Sequence, residues 1–113
     1  QFKLCMSMFE VTECYKKLQA METATPKQLL SMSASRFEIN VAIRKAFIDV
    51  MANLEKCCPA LTNDDLFYCV LSLMHCSNIV ILELMNVSSE ALKMRKSRIK
   101  GKLREDIFEY IFC

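Results

Sequence analysis

Residues 61–103 read LTNDDLFYCVLSLMHCSNIVILELMNVSSEALKMRKSRIKGKL, and the side chains at their turns decide the fold. Thr62-Asn63-Asp64-Asp65 has the form of a capping box, with Asp in the place of the usual Glu. In that motif a hydroxyl and a carboxylate three residues apart satisfy backbone donors that a helix start leaves orphaned. A helix follows with Leu66, Cys69, Val70 and Leu73 on one face. His75-Cys76 forms a turn, and Ser77 caps a short helix holding Ile81, Leu84 and Met85. Val87 lies in the next turn and Ser88 caps a further helix carrying Leu92, Ile99 and Leu103. The same spacing runs on through Ile107 and Ile111, which predicts one extended last helix.

Charge is concentrated on that last helix. Lys93, Arg95, Lys96, Arg98, Lys100, Lys102 and Arg104 place seven positive charges in twelve residues with no acid among them. The rest of the chain holds eight basic and thirteen acidic residues, so a net charge of +2 hides one positive end and an acidic remainder. An ordinary solvated helix face mixes both signs; this asymmetry points to a polyanionic partner. Three successive helices, the middle one short and the last basic, fit a helix-turn-helix, whose second motif helix lies in the major groove of DNA. Reading base edges demands rigid placement, and a capped helix on a compact scaffold supplies it.

Upstream, Phe2 to Met21 reads as one amphipathic helix with Leu4, Met8, Val11, Tyr15 and Leu18 inward, widened by Phe9 and Cys14. After a break at Glu22–Pro26, Thr25 caps a short helix with Pro26 at its first position, extending through Leu29 and Leu30. Ser31 to Ser35 reads as a loop, and Ser35-Arg36-Phe37-Glu38 as a capping box. The box opens a long helix with Ile39, Ile43, Phe47 (with Ala46), Val50, Leu54 and Cys57 inward, stopped by Pro59. With about five principal helices and no strand, the class is all-α. Residues 1–59 form a helical connector and 60–113 the helix-turn-helix domain with its tail.

Leu61-Thr62, Ser77-Asn78, Ile81, Glu83, Met85, Val87-Ser88, Leu92-Lys93, Ile99 and Lys102-Leu103 resemble, without a gap, the LuxR/GerE-type DNA-binding domain. The resemblance covers a little over a third of the chain. Pro59-Ala60, the acidic pair before Cys69 and the run Arg95 to Lys100 are similar to a subset that ends bacterial regulators with tetratricopeptide-type sensor regions. It implies sequence-specific binding of double-stranded DNA in transcription regulation. Lys93, Met94 and Ser97 match the positions facing base edges, and Ser77 matches a phosphate contact. Lys96, Arg98, Lys100 and Lys102 would then be phosphate ligands or solvated neighbours, while Leu66, Val70, Ile81, Val87, Leu92, Ile99 and Leu103 match core positions. Four departures stand out. His75 replaces the family's Gly, Lys96 an inward apolar residue, and Ile79 and Val80 polar ones; the fourth, dimerising helix after Leu103 is not recognisable. The tail should pack on Phe2–Met21 or form an interface of its own, and a homodimer would pair through that tail or an upstream region.

Other chemistries find little footing. The chain has 113 residues, enough for one core. No apolar run nears the ~18 residues that span a bilayer, and Gln1-Phe2-Lys3 does not begin a signal peptide. A cytoplasmic domain is expected, with any membrane tether in an upstream segment. Seven Cys without CxxC spacing read as reduced thiols, mostly in the core, and Cys57-Cys58 as one buried and one partly exposed thiol rather than a redox pair. The single His could join Cys69 or Cys76 at a metal, but no fourth ligand is spaced to complete the set. Without a nucleophile motif or Gly-rich loop, neither an enzyme, a cofactor nor a small-molecule substrate is expected. The competing reading is a helical interaction module, sigma-factor-like or adaptor, whose basic helix meets an acidic protein or RNA.

Overall fold

The computed structural model describes residues 1–113 and contains nine α-helices and no strand. They are α1 (Phe2–Glu10), α2 (Glu13–Glu22), α3 (Pro26–Ser31), α4 (Ser33–Ala46), α5 (Ile48–Cys57), α6 (Asn63–Leu73), α7 (Asn78–Met85), α8 (Ser89–Lys102) and α9 (Glu105–Phe112). The all-α class follows the helical spacing of the apolar residues.

Local chemistry sets most of the boundaries. The Thr25 hydroxyl accepts from the Gln28 amide, and the Gln28 side chain accepts from the Thr25 amide, so Pro26 enters α3 through a complete capping box. The Thr62–Asp65 box opens α6 in the same way, and Ser77 and Ser88 cap α7 and α8. Two helix ends use left-handed residues. At the end of α6, His75 has φ 61°; its amide donates to the Ser72 carbonyl and the Cys76 amide to that of Leu71. At the end of α7, Asn86 has φ 53°, with Val87 donating back to Leu82. This double bond pattern satisfies carbonyls that the helix end would orphan.

α6 is the centre of the molecule. Asp65 to Leu71 are buried one after another, so this helix has core on every side. α5, α7 and α9 pack around it, while α4 lies against α1, α2 and α7. A single core cluster of 26 buried residues runs from Cys5 to Ile111 and crosses Pro59–Ala60 without a gap.

Four expectations are corrected. The first helix is broken at Val11, where Thr12 turns its side chain to the Tyr15 amide and caps α2. The break resets the helical phase: Cys5 and Phe9 are buried, while Leu4, Met8 and Val11 are 65%, 65% and 86% exposed. Ser35–Glu38 is not a capping box, because α4 begins three residues earlier, after Met32, and has no side-chain cap. The long connector helix divides at Phe47, whose backbone (φ −107°, ψ 21°) leaves the helical range while its ring is fully buried. Last, α8 and α9 are separate, because Leu103 and Arg104 are extended (ψ 153° and 148°). The tail folds back on α6 and α8 instead of extending, with the Phe112 ring 5.1 Å from that of Tyr68.

Candidate nucleic-acid interface

α8 is anchored by few contacts and presents a broad free face. Its cap is the Ser88 hydroxyl, which accepts from the Ala91 amide at 3.1 Å. Leu92 and Ile99, two turns apart, are buried and fix its rotation. Met94, Ser97, Arg98 and Gly101 fall at i, i+3, i+4 and i+7 on the opposite side, and all four are exposed, as are the flanking Lys93 and Lys100. The three residues expected to face base edges, Lys93, Met94 and Ser97, therefore lie on one solvent-facing surface.

The helix is held in place by one buried carboxylate. Asp65, 3% exposed, accepts from Arg95 at 2.8 Å and from Lys102 at 2.9 Å, so one acid at the start of α6 ties two turns of α8. The same carboxylate accepts from the Thr62 amide at 3.0 Å. Burial alone would raise its pKa, but the Thr62 amide, Lys102 and Arg95 outweigh that and hold the carboxyl below its ordinary range. Cys58 adds a further tie, its thiol donating to the Lys102 carbonyl. By its spacing from Thr62, Asp65 reads as a helix cap only. Its partners lie 30 and 37 residues away, and no local spacing marks such a contact.

These ties divide the seven positive charges. Arg95 and Lys102 are spent on Asp65, and Arg104 pairs with Asp106 at 2.7 Å. Lys102, expected at the phosphates, is thus engaged within the fold. Lys96 is partly buried, its ammonium 5.5 Å from the Phe112 ring centre, as its place in an apolar position suggested. Lys93, Arg98 and Lys100 are exposed and form no ion pair, Lys100 lying 5.8 Å from the Phe108 ring.

Ser77, the remaining expected phosphate contact, sits on the other helix of the motif. Its hydroxyl caps the Val80 amide, while its own amide donates to both oxygens of Glu22, at 3.0 and 3.3 Å. The chain's own carboxylate therefore occupies the amide to which a phosphate would bind. α7 is also fastened to α4: Arg36 meets Glu83 at 3.5 Å and Asn86 at 3.3 Å, and the Asn40 amide donates to the Leu84 carbonyl at 2.9 Å. Val80 is buried in the core, whereas Ile79 is 59% exposed. Of the matched core positions, Leu66, Val70, Ile81, Leu92, Ile99 and Leu103 are buried and Val87 is half-buried.

The cysteines are all unpaired. Cys5, Cys58 and Cys69 are buried, while Cys57 is exposed, so the adjacent pair divides into an inner and an outer thiol. Burial pushes the Cys69 and Cys76 thiols up to about 12, which keeps both protonated near neutral pH. No helix is long and apolar enough to cross a membrane. The fold and site together describe an all-α chain with a capped, clamped helix presenting cationic and polar side chains. No protein-family model matches it, and comparisons with curated proteins and with solved structures returned no match.

Proposed function

We propose that this chain binds double-stranded DNA through the outward face of α8, as the sequence-reading part of a bacterial transcriptional regulator. The observation that carries the reading is the outer stripe of Met94, Ser97, Arg98 and Gly101 flanked by Lys93 and Lys100, on a helix fixed from behind by Leu92, Ile99 and Asp65. Arg98 and Lys100 supply phosphate attraction, and Lys93 with the shorter side chains of Met94 and Ser97 suits base edges. LuxR/GerE-type character rests on the residue resemblance, with Lys93, Met94 and Ser97 as the readers. Lys96 and Lys102 belong to the internal support of the helix more than to its contact surface, and Ser77 is engaged by Glu22.

A binding-site selection on random duplexes, run with the wild-type chain and with Lys93→Ala and Ser97→Ala, tests the assignment. Enrichment of a defined sequence that shifts in both variants supports it. Enrichment that is identical in all three proteins places the reading face elsewhere, and salt-sensitive binding with no preference among duplexes favours an acidic-protein or RNA partner.

A further inference from the structure

α4 gives only part of its circumference to the fold. Ile39 and Ile43 are buried, Arg36 and Asn40 reach α7, and Glu38 bonds Lys17 of α2. On the opposite side Ala34, Phe37, Val41 and Lys45 recur at three- and four-residue steps, and all are exposed. Phe37 is 75% exposed, and Ile48, just past the Phe47 break, continues the stripe beside Arg44. Singly scattered apolar residues on a surface need no partner, but a contiguous stripe marks a contact. This stripe is complementary to itself. In a two-fold pairing the same patch of each copy meets, so residue i touches j and j touches i. Where two α4 helices cross antiparallel at Val41, positions equally far before and after it face each other. Phe37 then meets the partner's Lys45, an ammonium that pairs with no acid in its own chain, over the face of the ring. Ala34 meets the partner's Ile48, small against large. Glu38, 57% exposed, lies opposite the partner's Arg44, 37% exposed, and no like charges face each other.

We propose that two copies of this chain associate through the outward face of α4, antiparallel and centred on Val41. Phe37 alone offers about 150 Å² to such a contact. With its neighbours on the stripe each copy contributes on the order of 500 Å², so the pair covers about 1,000 Å², where specific interfaces begin and reversible ones lie. The pairing uses neither the tail, whose Phe108 and Ile111 are buried, nor the outer face of α8, and it does not depend on the DNA reading.

The test is sedimentation velocity of the full chain under reducing conditions, with its concentration raised from about 10 µM to about 1 mM. The wild type should pass from monomer to dimer and stop at two, as a closed two-fold contact requires. Val41→Asp sets two carboxylates against each other on the axis and should raise the dissociation constant by about tenfold or more. Phe37→Ala removes the aromatic anchor and should raise it by about tenfold. Met8→Asp, on the exposed stripe of α1, should leave it unchanged, with circular dichroism showing that each variant is folded. A wild type that stays monomeric at about 1 mM overturns the proposal, as does growth beyond the dimer. Undiminished association by either folded α4 variant, or equal weakening by Met8→Asp, does so too.

Discussion

Replacing Asp65 by Asn removes one negative charge from beneath α8 while keeping nearly the same shape. Arg95 and Lys102 then face an amide that can accept but no longer compensates them. Breaking a fully buried ion pair by removing one partner costs about 3–5 kcal/mol. Arg95 and Lys102 are 21% and 28% exposed, so water recovers part of that loss. The Thr62 amide can still donate to the remaining carbonyl oxygen, which spares most of the capping term. The net expectation is a loss of about 2–3 kcal/mol, or roughly 10 °C in melting temperature for a chain of this size. The pH dependence has a definite sign. The carboxyl is held below its ordinary pKa of about 3.9, so its contribution is complete above that value and is lost as pH falls through the depressed native one. Thermal melts followed by circular dichroism should therefore show a wild-type-to-variant gap that is constant between about pH 5 and 7 and closes in strong acid. A variant that melts with the wild type at pH 7 refutes the clamp, and so does a gap that widens on acidification.

Three further outcomes follow from named geometry. Gly101→Ala should raise stability by up to about 1 kcal/mol in the same melts, because glycine is a poor helix former. A Cβ there meets nothing within 4 Å and the backbone is not left-handed, so a lower melting temperature would mean that the last turn of α8 is misplaced. His75→Gly should stabilise by about 0.5–1 kcal/mol in urea unfolding, since φ 61° costs a branched-ring residue more than glycine; a loss would show that the imidazole makes a compensating contact. Lys102→Ala should lower the melting temperature and leave the salt dependence of duplex binding nearly unchanged, while Arg98→Ala should do the reverse, reducing the slope by about 0.9. Equal effects from the two variants would contradict the division of charge between support and surface.

The capped helix starts were legible because capping is local chemistry. Thr25, Thr62, Ser77 and Ser88 each find their acceptor role within three residues, and all four cap the helices they were expected to open. The breaks were not, because spacing can persist across a discontinuity. Leu103 and Ile107 are four apart, which reads as one turn of a continuous helix, yet two extended residues follow Ile99's turn and send α9 back over α6. At Val11 the opposite occurred: an apolar stripe that looked continuous was split, and half of it faces solvent. The same limit governs the site. The exposed residues of α8 follow from helical periodicity once Leu92 and Ile99 are placed inward. Which cations are free does not, because Asp65 and Glu22 reach Arg95, Lys102 and Ser77 only after the chain has folded.

The central claim is that α8 meets duplex phosphate with the few cations the fold leaves free. Its most direct test is the dependence of duplex affinity on salt concentration, measured with a selected sequence and with a scrambled one. Arg98 and Lys100, with or without Lys96, predict a log–log slope of about −2 to −3 per chain and tighter binding of the selected duplex at every salt concentration. A slope near zero, or identical affinity for the two duplexes, would contradict the account.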